Sequence, residues 1–165
     1  MDSTKFQQLK DYGFKLLSFR PRSEKELKGK LSQFAIKKGI PQAFVLAAVS
    51  YFREHNFIND REFASWWVEQ RRGANPKGDR LITFELKEKG IDTDTIHFVL
   101  SNKDSGKGDE DLAWKVIQPK LHLFSKLPMQ KVKQKVSGML LRRGFDWDVI
   151  LKIIDSLKRK AYNKE

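Results

Sequence analysis

The sequence predicts an all-α protein of three tandem three-helix repeats, an elongated molecule whose curvature it leaves open. Three observations lead there. Apolar residues recur at helical spacing nearly throughout, and no stretch alternates cleanly with period two. A basic residue, a glycine and an apolar residue recur as Lys38-Gly39-Ile40, Lys89-Gly90-Ile91 and Arg143-Gly144-Phe145, with the glycines 51 and 54 positions apart. Pro21, Pro76 and Pro128 keep rough step with them, each ahead of the helix that a glycine ends. Glycine suits a helix end because one residue there commonly takes positive φ. Two markers in phase over 165 residues indicate repeats, here 1–57, 58–105 and 106–165.

The elements follow in order. A first helix is expected from Thr4 to Ser18, with Phe6, Leu9, Gly13, Leu16 and Leu17 on one face. Arg20-Pro21-Arg22 breaks it, and Ser23 with Glu26 three residues on predicts a capping box. Leu27, Leu31 and Ala35 line the second helix up to Gly39. Pro41 suits the first position of a third helix, whose face is Val45, Ala48, Val49 and Phe52.

Asn59 to Glu62 caps the next helix, which carries Phe63, Ala64, Trp66 and Trp67. Residues 71–76 break it, Ile82 and Leu86 lead to Gly90, and Asp92 or Thr93 caps a helix with Ile96, Val99 and Leu100. Ser101 to Gly108 reads as a linker and hinge. Asp109-Glu110-Asp111 suits a helix start, and Leu112, Ala113, Val116 and Ile117 follow. After a break from Pro119 to Pro128, Val132, Val136 and Leu140 run to Gly144. Asp146 caps a last helix with Trp147, Ile150, Ile153, Ile154 and Leu157 on its core side, and the polar tail from Lys158 is expected to fray.

Composition narrows the function. The chain has no cysteine, which excludes disulfides, thiol catalysis and cysteine zinc sites. No apolar run approaches the roughly 20 residues of a membrane span, and no secretory stretch follows Met1, so a cytosolic chain with no membrane partner is expected. His55, His97 and His122 fall in different repeats without a second ligand at helical spacing, and Gly106-Lys107-Gly108 lacks P-loop spacing. Neither an enzyme, a cofactor nor a metal is expected. Of adjacent Trp66 and Trp67, about 100° apart on a helix, one is expected to pack and the other to lie on a seam between repeats or a contact surface. Trp114 and Trp147 read as core.

Net charge is +12, with residues 1–57 carrying 11 basic and 5 acidic groups, 58–105 carrying 8 and 9, and 106–165 carrying 14 and 7. Two basic lobes flank a nearly neutral centre, which points to a polyanion: nucleic acid or an acidic protein surface. The cations gather around the proline breaks and middle helices. Arg20, Arg22, Lys25, Lys28 and Lys30 form one set, and Arg71, Arg72, Lys77 and Arg80 a second. Lys126, Lys131, Lys133, Lys135, Arg142 and Arg143 form the third. Any one of them is explained by helix solubility; as recurring sets they are candidate contacts to phosphates or acids. A helix-turn-helix reading is weaker, because no single recognition helix stands out.

The residues also resemble a family. Residues 21–31 (Pro-Arg-Ser-Glu-Lys-Glu-Leu-Lys-Gly-Lys-Leu) are similar to the opening signature of RecX regulatory proteins. Residues 57–64 resemble that family's central segment, with Asn59 for an aspartate and Arg61 and Glu62 in reversed order. Residues 76–91 resemble its basic stretch ending Lys-Gly-Ile, and residues 140–145 its closing Arg-Gly-Phe. The resemblance covers about Tyr12 to Leu157. It implies a small cytosolic all-α monomer of three three-helix repeats that binds the groove of the RecA–DNA filament. It further implies inhibition of RecA ATPase, strand exchange and filament growth, in recombination, repair and the SOS response. DNA, single- or double-stranded, is an implied partner directly or through RecA. The alternatives left open are a stand-alone helical DNA-binding protein and a helical adaptor for another acidic protein.

Overall fold

Nine α-helices and one 3-10 turn form the described residues, 3–101 and 108–162, of the computed structural model, and no strand occurs among them. They are α1 (Ser3–Phe19), α2 (Glu24–Lys38), α3 (Gln42–Glu54), α4 (Asp60–Arg72) and α5 (Asp79–Glu88). After them come α6 (Thr93–Ser101), α7 (Asp109–Ile117), the 3-10 turn (Gln118–Leu123), α8 (Met129–Arg142) and α9 (Trp147–Tyr162). Most of the expected linker, residues 102–107, lies outside the described residues.

The recurring triplet has one physical cause. Gly39, Gly90 and Gly144 have φ of 65°, 82° and 81°. In each case the glycine N–H and the next N–H fold back onto helix carbonyls. Gly39 and Ile40 donate to Ile36 and Ala35, Gly90 and Ile91 to Lys87 and Leu86, and Gly144 and Phe145 to Leu141 and Leu140. This is the Schellman arrangement, and it needs an apolar residue after the glycine to pack under the helix end. Ile40, Ile91 and Phe145 are all buried, as are the residues that accept from them: Ala35, Leu86 and Leu140.

The chain divides into two compact units, Met1–Trp67 with Leu86–Val99, and Val68–Glu85 with Leu100–Glu165. In the first unit, α1, α2 and α3 pack on one another. Leu9, Leu27, Leu31, Val45, Ala48 and Phe52 are fully buried there, each larger apolar side chain contributing about 1.5–3 kcal/mol. Gly13 is buried because the Phe52 ring occupies the space a Cβ would need. In the second unit, α7, α8 and α9 enclose Ile117, Val136, Leu140, Phe145, Ile150 and Ile153.

Five local expectations are corrected. The capping box is half formed: Ser23 Oγ accepts from Glu26 N–H at 3.2 Å, but the Glu26 carboxylate turns to Arg20 and Lys89. Two charged donors outcompete one backbone N–H for a carboxylate. Trp147 is 51 % exposed instead of core, because it is the first residue of α9 and overhangs the layer formed by Ile150 and Ile153. Residues 158–162 continue α9 instead of fraying, while 163–165 lie outside the described residues. The break from Pro119 to Pro128 contains the 3-10 turn, which seats Phe124 in the core. Pro41 is the N-cap of α3, one position ahead of its expected place. Trp67 is buried and Trp66 half-buried, as their angular separation requires.

Candidate binding surface

The first basic set is built around Glu26. Arg20 grips its carboxylate with both terminal nitrogens, at 3.0 and 3.1 Å, and Lys89 Nζ adds a bond of 2.7 Å. Burial would raise the Glu26 pKa, but the Arg20 and Lys89 hydrogen bonds and charges outweigh it and hold the carboxyl at about 2. Lys89 also lies 4.1 Å from the centroid of the Trp67 ring, a cation–π contact.

Around this pair the start of α2 closes the end of α5. Ser23 Oγ donates to the Lys89 carbonyl at 2.7 Å and Lys25 Nζ to the Glu88 carbonyl at 3.0 Å, satisfying carbonyls that a helix C-terminus leaves free. Arg22 Nε donates to the Leu16 carbonyl at 3.2 Å. On the other side Asp60 accepts from the Glu24 N–H at 2.8 Å, and burial with the nearby Glu24 and Asp92 charges raises its pKa. A shallow cleft of about 340 Å³ is left, lined by Arg20, Lys25, Lys30 and Lys89 but also by Glu26 and Glu88. Only Lys28 and Lys30 of this set have neither ion pair nor hydrogen bond among the described residues, and both are exposed.

Glu26 carries a measurable signature. The carboxylate is depressed in the folded state, so its contribution is present above the unfolded value near 4.3 and disappears as pH falls toward 2. Glu26→Gln is expected to lose about 2–3 kcal/mol at pH 7. That deficit should close between about pH 4.5 and 2 in urea titrations of the two proteins. A deficit independent of pH over that window would refute the assignment.

The second set is consumed internally. Arg71 Nε and Lys77 Nζ share Glu85, at 2.6 and 2.5 Å, and Arg72 Nη2 bonds Asp79 at 2.6 Å. Arg72 retains 9 % of its side-chain exposure. Arg80 is exposed and reaches the Leu141 carbonyl at 3.3 Å. These residues hold the end of α4, the turn and the start of α5 together, with the Lys77 N–H donating to the Arg71 carbonyl.

The third set is mostly solvent-facing. Arg143 is tied to Asn75 Oδ1 and, at 3.4 Å, to the Pro76 carbonyl. Lys126, Lys131, Lys135 and Arg142 are exposed without ion pair or hydrogen bond among the described residues. Lys133 is half-buried, near enough to help the Lys158 hydrogen bond lower the Asp155 pKa. The structure therefore sorts eleven of the fifteen candidates into two kinds, while Arg22, Lys25 and Arg80 donate to backbone carbonyls and Lys133 is half-buried. Lys28, Lys30, Lys126, Lys131, Lys135 and Arg142 have their charge available, and Arg20, Arg71, Arg72, Lys77 and Arg143 spend theirs on the fold. Sequence reasoning missed Lys89, whose partner Glu26 is 63 positions away, and Lys120 beside α8.

No group of three or more metal-ligating residues occurs among the described residues, and no described helix is long and apolar enough to cross a membrane.

Comparison with known proteins places this arrangement. Family models for the second and third three-helix domains of RecX match residues 59–100 and 108–154. A regulatory protein RecX from a Mycobacterium species (strain JLS) is 31% identical over 153 residues, covering 90% of this chain and 80% of the relative. One from Bacillus licheniformis is 32% identical over 168 residues, and there the chain spans only 60% of the relative's length. The crystal structure of RecX from Lactobacillus salivarius superposes with a TM-score of 0.79 at 22% identity, covering 94% of this chain and 98% of that one, a likeness of fold. The matched domains, the relatives and the shared fold agree: this chain belongs to the RecX family of regulatory proteins.

Proposed function

We propose that this chain is a non-enzymatic regulator that binds the RecA–DNA filament groove and restrains RecA ATPase, strand exchange and filament growth. Family membership supports the RecA partner. The observation that carries the binding mode is the sorting of the basic sets. Lys28 and Lys30 in one unit, and Lys126, Lys131, Lys135 and Arg142 in the other, keep exposed charges with no acidic partner among the described residues. Available cations in the repeats bounded at 1–57 and 106–165, with most of the set in 58–105 paired within the fold, suit a repetitive partner, because several weak contacts on one chain add as avidity. The protein acts in the cytoplasm as a monomer in this reading.

RecA's DNA-dependent ATPase, measured with and without the protein at moderate salt, tests it. Inhibition together with co-sedimentation on filaments is expected. An unchanged ATPase with the protein left in the supernatant refutes the reading. A second reading, direct DNA binding without RecA, is favoured by the net charge of +12; it predicts steeply salt-dependent binding to bare DNA.

A further inference from the structure

Between the 3-10 turn and α8 runs an open cleft of about 620 Å³. Its floor is apolar: Phe124 and the half-buried Leu127 and Met139, with Leu123 beside them 60% exposed. Its rim is cationic, from Lys120, Lys135 and Arg142, and no carboxylate lines it among the described residues. This is the opposite of the cleft at Lys30, where Glu26 and Glu88 stand among the cations.

Gly138 lies on the α8 wall of the cleft. A glycine inside a helix costs about 1 kcal/mol relative to alanine. Packing does not require it here, because a Cβ would meet only the mobile end of Arg142, at 3.4 Å. What its missing side chain does is keep the cleft open.

We propose that this cleft takes an acidic amphipathic helix of a partner protein. The apolar floor receives the helix's hydrophobic stripe, about three or four side chains per two turns, and Met139 adapts to their shape. The three cations meet carboxylates flanking the stripe, an arrangement known for helices laid in grooves. Nucleic acid fits less well, since phosphates gain nothing from Leu123 and Leu127. The inference goes beyond the RecA reading and is tested without RecA.

The test uses the full chain and a fluorescein-labelled 18-residue peptide of Leu and Glu with leucines at helical spacing. Its control is a peptide of identical composition with the periodicity broken. Anisotropy titrations are expected to give binding on the order of tenfold tighter for the periodic peptide. Lys135→Glu/Arg142→Glu should weaken it by at least about tenfold. Gly138→Leu puts a branched side chain into the cleft from its α8 wall, keeps every charge and favours the helix; it should weaken binding by at least about tenfold while circular dichroism and thermal stability hold or improve.

Equal binding of both peptides, or undiminished binding to Gly138→Leu, overturns the proposal. So does a DNA oligonucleotide that loses affinity for Gly138→Leu, which would make nucleic acid the occupant. Self-association abolished by Gly138→Leu would assign the cleft to a second copy and equally overturn it. Failure here with RecA inhibition intact removes the cleft alone; peptide binding without RecA inhibition removes the RecA reading alone.

Discussion

Gly144→Ala is expected to destabilise the protein by roughly 2–5 kcal/mol, and Gly39→Ala by about 1–2 kcal/mol. Both glycines end a helix at positive φ, 81° and 65°, where any other residue carries a backbone cost of about 1–2 kcal/mol. Their surroundings differ. Around Gly39 a Cβ meets nothing within 4 Å. At Gly144 it overlaps the backbone and Cβ of Leu81, and the facing Gly78 is equally pressed against the Gly144 carbonyl, with its own N–H donating to the Arg143 carbonyl at 2.9 Å. Backbone cannot step aside as a side-chain tip can, so overpacking of about 1–3 kcal/mol adds to the conformational cost. Urea denaturation of the two variants reads the difference. Equal losses would show that the close approach at Gly144 relaxes freely.

That contrast marks how far the sequence was legible. The triplets located three helix ends because the Schellman motif depends only on local residues: a glycine and the apolar residue after it. The buried faces of α2, α3 and α8 were legible for the same reason, through Leu31–Ala35, Val45–Phe52 and Val132–Leu140 at helical spacing. Nothing local separates Gly39 from Gly144, since Leu81 reaches Gly144 from 63 positions away. Trp147 misled because a helical pattern assigns a face but not whether a neighbour extends past the helix end. Among the basic residues the difficulty was greater. Arg72 and Lys131 are alike in composition and in their place near a break, and only the folded chain shows that Asp79 neutralises one of them.

Arg72→Ala is therefore expected to act on folding, with a loss of roughly 2–4 kcal/mol. The guanidinium is nearly buried and paired at 2.6 Å with Asp79, which opens α5. Its Nε has no hydrogen-bond partner among the described residues, so the Asp79 contact is the main compensation for removing this charge from water. Removing Asp79 instead strands the guanidinium, so Asp79→Ala should lose a similar amount. The double variant should then lose less than the two single losses together by at least about 1 kcal/mol, the coupling of a shared pair. Additive losses would mean that each residue acts through other contacts. Lys131→Ala, exposed and unpaired among the described residues, should change stability by no more than about 0.5 kcal/mol. If Lys131 contacts a phosphate of the filament, the same variant should weaken filament binding and lower its salt dependence by about one charge. Charge reversal at Arg71 and Arg72 cannot separate filament binding from bare DNA binding, since it breaks the Glu85 and Asp79 pairs first. The substitutions that can make that separation are at Lys28, Lys30, Lys126 and Lys131, where the charge is not already spent on the fold.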